Sequence, residues 1–187
     1  MAMLTAAALV VFIIEAQIPL PVPIPGAKLG LANAVTLFAL FFGKPRKKRE
    51  GRPGQKPTAE TRGSPPRLAV PLTPFDAFMI LLCRIILGAV FTGRVVAFIY
   101  SVTGGMLGFA GQLAMKRFAT NKQIWVVGAV GAVFHNIGQI AAAMVITGTP
   151  SIAAYLPLLI IAGVATGIIT GLAAQFTLQR LPMNDER

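Results

Sequence analysis

Six apolar stretches dominate the sequence, at about 2–16, 29–43, 75–93, 95–115, 124–147 and 151–178. Most are near the length a helix needs to cross roughly 30 Å of hydrocarbon. Few folds are open to a chain arranged this way. Hydrophobic residues make up 55% of it and charged residues 12%, where a soluble domain carries about 25% charged residues. The expected fold class is all-α: a polytopic membrane protein with six transmembrane helices, forming a single transmembrane domain over 1–187. The first stretch lacks the positive flank of a signal peptide and is read as retained, and its abrupt start is compatible with further residues upstream.

The net charge is +11, and its distribution decides what it means. Nine of the 17 basic residues fall between Lys44 and Arg67, against Glu50 and Glu60. A basic loop between apolar segments is what the positive-inside rule describes, and it can also touch anionic lipid headgroups. No aromatic residues interleave with the basic run, so nucleic acid is not expected as a partner. Residues 44–74 are rich in Pro, Gly and charge and cannot bury a core. They are expected to form a disordered basic cytoplasmic loop between helices two and three. Alternate connections and the C-terminal end hold 14 basic residues, and the opposite side holds Lys28 and Arg94. That asymmetry places the chain in the cytoplasmic (inner) membrane with both termini cytoplasmic.

Between the first two apolar segments lies E-A-Q-I-P-L-P-V-P-I-P-G-A-K-L-G-L-A-N, from Glu15 to Asn33. Pro19, Pro21, Pro23 and Pro25 stand at alternate positions. Each lacks an N–H and fixes φ, so the stretch cannot continue a helix and favours an extended path. It reads as a stiff outward-facing connector flanked by Glu15 and Lys28. Two readings stand: a cap over a small-molecule site, or a rigid loop with interfacial charges.

Charge inside a membrane segment is costly and usually faces a cavity or a partner. Arg84 sits in the middle of I-L-L-C-R-I-I-L-G. It is read as an anion-binding group or gate, or else as the partner of Glu15. His135, Asn136 and Gln139 lie within five residues in H-N-I-G-Q. His135 and Gln139 are four apart and share a helix face. Substrate contact and hydrogen bonding between helices both remain open for this group. Asn33 and Thr36, Tyr100, Ser101 and Thr103, and Tyr155 are further polar residues that line a site or bond between helices. Small residues four apart mark close helix packing: Gly163, Gly167 and Gly171, Gly104 and Gly108, and Ala2 and Ala6.

Several chemistries have no residues to carry them. The sequence holds no G-x-x-x-x-G-K-[ST] loop for ATP. Asp76 and Asp185 are the only aspartates, and no pair of them is available for Mg²⁺ and a diphosphate. One histidine and one cysteine, Cys83, leave no metal cluster or disulfide within the chain. No catalytic triad stands out. The chain is expected to be non-catalytic by itself and to need no cofactor or metal.

The motifs at 15–33, R-I-I-L-G at 84–88, Y-S-V-T-G-G at 100–105 and H-N-I-G-Q at 135–139 together resemble the Gx transporter family. That family also carries the name heptaprenyl diphosphate synthase component I. It is similar to the substrate-binding S components of energy-coupling-factor (ECF) transporters. The resemblance implies an S-component-like bundle of six helices that captures a small molecule from outside. A separate coupling protein and ATPases would supply energy. In S components the loop after helix one covers the site, and small residues of helix one meet the coupling protein. Here those would be the proline connector and Ala2, Ala6 and Ala8. The long basic insertion after Gly43 departs from that pattern at the coupling face.

The leading expectation is an integral membrane uptake component for a small polar or anionic metabolite. Glu15, Lys28, Asn33, Arg84, His135, Asn136 and Gln139 are the expected substrate-binding residues. The alternatives are an accessory membrane subunit of heptaprenyl diphosphate synthase in isoprenoid or quinone biosynthesis, and a purely structural membrane scaffold.

Overall fold

The computed structural model describes residues 2–17, 30–42, 72–120 and 122–180. Lys28, the four alternating prolines and most of the 44–74 linker lie outside the described residues. The described residues are helical throughout their regular structure: α1 (Ala2–Glu15), α2 (Asn33–Phe41), α3 (Pro74–Thr92), α4 (Val95–Lys116), α5 (Ile124–Thr147) and α6 (Leu156–Arg180).

The bounds of α3 follow from local chemistry. Thr73 caps the helix in a reciprocal box: Asp76 N–H donates to Thr73 Oγ1 at 3.2 Å, and Thr73 N–H donates to Asp76 Oδ2 at 2.7 Å. Pro74 takes the first turn, where its missing N–H costs nothing. Gly93 ends the helix at φ +62°, a left-handed conformation that suits glycine. Arg94 then leads directly into α4, so α3 and α4 form a tight hairpin. The expected linker end at 74 runs into this start: Leu72 already packs on the core and Thr73 already caps the helix. A short 3-10 turn over Pro150–Tyr155 precedes α6, where the sixth apolar stretch suggests one uninterrupted helix.

Four helical stretches are long and apolar enough to cross a membrane: Pro74–Thr92, Val95–Lys116, Ile124–Thr147 and Pro150–Arg180. α1, with 14 residues, spans about 21 Å at 1.5 Å per residue, and α2, with nine, about 14 Å. Both fall short of the ~30 Å crossing length. The second apolar stretch, expected over 29–43, yields only the short α2, because 30–32 forms a turn instead of helix. Large apolar side chains such as Val90, Phe91, Val95, Val145, Ile161 and Ile169 cover the outside of the bundle. An outer surface of that kind suits hydrocarbon better than water.

α5 packs along α4 on one side and α6 on the other, while α1 lies on α3. The small α2 is central and touches all five other helices. Its apolar side chains Leu37, Leu40 and Phe41 join Ile80, Ile124 and Val127 in the main core. The glycine stripes pack inward as expected. A Cβ at Gly167 would lie 2.7 Å from Ala129 Cα and from Gly128 O, and one at Gly108 would lie 2.9 Å from Gly131 O. These backbones approach too closely for any side chain.

Both ends of α2 are held by charge. Lys116, at the end of α4, donates to Leu40 O at 2.6 Å and lies 5.6 Å from the Phe41 ring centroid. A cation there meets the negative end of the helix dipole. At the other end stands Glu15.

Candidate functional site

The centre of the site is the entry to α2. Glu15 ends α1 and is 4% exposed. Its Oε1 accepts from the N–H of Gly30 and from Leu31 N–H at 3.1 Å, and its Oε2 accepts from Ala32 N–H at 3.3 Å. An α-helix opens with N–H groups that have no partner within it, and a carboxylate there is favoured by those donors and by the helix dipole. Gly30 sits at φ +83° to form the turn. Glu15 therefore binds the backbone of the next helix, which places Asn33 at a fixed point.

Asn33 meets Arg84 from α3. Arg84 Nη2 donates to Asn33 Oδ1 at 3.1 Å, and the arginine is 3% exposed. Glu15 acts on Arg84 electrostatically across the site, but its oxygens are occupied by backbone N–H groups. Arg84 Nε and Asn33 Nδ2 are buried without a hydrogen-bond partner, as is Thr36 Oγ1 one turn along α2.

His135 and Gln139 approach from α5. Gln139 Nε2 lies 3.0 Å from His135 Nε2. Which of the two groups donates depends on the imidazole tautomer. Glycines let α4 and the 30–32 turn close on this pair. A Cβ at Gly30 would sit 3.1 Å from His135 Cδ2 and 3.2 Å from Asn33 Nδ2. One at Gly104 would sit 2.9 Å from Gln139 Cγ and 3.0 Å from His135 Cε1. The structure thus brings Glu15, Asn33, Arg84, His135 and Gln139 into one buried polar centre built by α1, α2, α3 and α5 and floored by α4.

Asn136 does not join it. Adjacent helical residues point about 100° apart, and Asn136 faces α6, donating from Nδ2 to Leu159 O at 2.5 Å. Ala2 and Ala6 are exposed along a shallow apolar groove between α1 and α3, whereas Ala8 is buried in the core and does not share that face. Lys28 lies outside the described residues. Gln112, buried on α4 against Gly131, was not among the expected site residues. Its signal was available, since it is a polar side chain in an apolar segment, the same feature that singles out Gln139. Among the described residues no three of His, Cys, Asp and Glu come together as a metal site.

Helices of membrane-crossing length, an apolar outer surface and a buried polar centre define an integral membrane protein with an internal polar site. The chain belongs to the heptaprenyl diphosphate synthase component I family, whose model matches residues 4–48 and 69–177. The unmatched residues between these blocks fall within the basic linker. No curated protein matches the chain, and no solved structure does.

Proposed function

We propose that the chain is the substrate-binding and uptake component of a membrane transport system for a small polar or anionic metabolite. The observation that carries this reading is Arg84. A guanidinium has five N–H donors, and this one is buried in a membrane-spanning helix with Asn33 as its hydrogen-bond partner. A buried charge of this kind persists where it meets a partner or serves a pathway. A bound anion would supply the missing acceptors. Arg84 and Asn33 would hold its charged end, His135 and Gln139 would bond its polar groups, and Glu15 would position the α2 entry. Lys28 and the proline connector would close over it from outside. The bundle would be of the ECF S-component kind, with six membrane-associated helices and both termini in the cytoplasm. Exposed Ala2 and Ala6 would meet a coupling protein that is energised by ATPases. The chain itself would catalyse no reaction.

Uptake into cells or proteoliposomes, with thermal shift of the detergent-purified protein against a metabolite panel, tests this. A ligand whose binding and uptake are lost in Arg84→Ala and His135→Ala supports it. Unchanged binding and uptake in both variants would sink the assignment.

A second reading rests on the family's own name, which describes a component of a synthase. On that reading the chain is an accessory membrane subunit of heptaprenyl diphosphate synthase. Co-purification separates the two. A soluble synthase bearing Asp-rich motifs would favour the subunit, and a coupling protein with ATPases would favour transport.

A further inference from the structure

The unpartnered groups at the α2 entry specify what they would take. Asn33 Nδ2 and Arg84 Nε are N–H donors, and Thr36 adds a hydroxyl able to donate, all of them more than nine-tenths buried. Asn33 and Arg84 are bonded to each other, so their spare donors belong to one unit. Among the described residues no spare carboxylate accompanies this unit, because the Glu15 oxygens are bound by the 30–32 backbone. A ligand that satisfies it must bring acceptors and no donors at that end, which is the chemistry of an oxyanion.

Charge then sets how large an anion fits. Among the described residues the titratable groups of the centre are Arg84, Glu15 and His135. Glu15 is held by the N–H groups at the α2 entry, whose fractional positive charge offsets it, so Arg84 is left as the cation that faces a ligand. Among the described residues, before Lys28 closes over it, such a centre balances one negative charge. A diphosphate brings about three, and buried charge without compensation is costly.

Resting on the uptake reading, we infer that the Arg84–Asn33 unit takes a singly charged carboxylate, and that isoprenoid diphosphates are not its ligands. The full chain in detergent, at constant ionic strength, is heated with sodium benzoate, sodium octanoate, inorganic pyrophosphate or geranyl diphosphate. A carboxylate at about 100 times its Kd raises the unfolding midpoint by roughly 5–10 °C, and neither diphosphate does. Response to octanoate alone assigns the carboxylate to an acyl chain drawn from the bilayer, and response to benzoate assigns it to a water-soluble acid. Stabilisation by a diphosphate overturns the inference while leaving the binding role standing. So does stabilisation by neutral or cationic metabolites alone from the uptake panel.

Asn33→Asp tests the same point without any ligand. It gives Arg84 a carboxylate of nearly the same shape. The midpoint of the ligand-free protein then rises by on the order of 3 °C, and the carboxylate response disappears. A midpoint lowered as far as in Asn33→Ala would mean that Arg84 already has its charge partner, and the inference would fall.

Discussion

Replacing Gly167 with Ala tests the packing that holds α5 against α6. The new Cβ would lie 2.7 Å from both Ala129 Cα and Gly128 O, where ordinary contact begins near 3.4 Å. The seam must open by about 0.7 Å, the difference between those two distances. Both atoms are α5 backbone, so no change of rotamer relieves the overlap. Overpacking of this kind costs about 1–3 kcal/mol. The helix gains about 1 kcal/mol from Gly→Ala propensity, which leaves a net loss of up to about 2 kcal/mol. For a chain of this size that is up to roughly 8 °C in midpoint. Gly105→Ala is the control. Its Cβ would meet Ile85 Cδ1 at 3.0 Å and Leu81 Cδ1 at 3.3 Å. Those are ends of flexible side chains that can turn aside, so its midpoint stays close to wild type. The single tryptophan, Trp125, lies on this seam with its backbone against Gly171, so its fluorescence during heating reads the seam directly. A Gly167→Ala midpoint at or above wild type, or a larger loss in Gly105→Ala, would refute the reasoning.

Glu15→Gln leaves one acceptor oxygen and no charge for three N–H groups. A loss of about 1.5–3 kcal/mol, the scale of one hydrogen bond to a charged group, is expected in thermal unfolding. Lys116→Met removes the bond to Leu40 O and the contact with Phe41. It should cost about 1 kcal/mol, and Lys116→Arg should recover part of it. Asn136→Ala removes the bond from α5 to Leu159 O and should cost about 0.6–1.7 kcal/mol, the range for bonds between membrane helices. Because Asn136 faces α6, ligand affinity in a binding titration should not change. A variant of normal stability that no longer binds would move Asn136 into the site.

The helices were legible where local signals suffice. α5 has the bounds of its apolar run at 124–147, and α3 starts one residue before its run at 75. The start of α2 was not legible, because it depends on Glu15, 15 residues before Gly30, gripping the Gly30–Ala32 backbone. The polar residues of the site were legible as a set, since charge and amides in apolar segments are rare enough to stand out. Their grouping was not. His135 and Asn136 are neighbours in sequence but face different helices, and Glu15 turned out to hold backbone where a side-chain pair with Arg84 was one expectation.

The sequence by itself determined the class of the protein. Its long apolar runs and few charges decide between water and hydrocarbon as solvent, and its motifs carry the family. It also marked Asn33, Arg84, His135 and Gln139 as costly residues in need of a reason. Only the tertiary structure decided which of them meet. Direction around a helix and distance across a bundle are set by packing: glycines let α4, α5 and the 30–32 turn close together, and Glu15 fixes where α2 begins. A hydrogen bond between Asn33 and Arg84, 51 residues apart, exists because those backbones approach, and no local pattern encodes that approach.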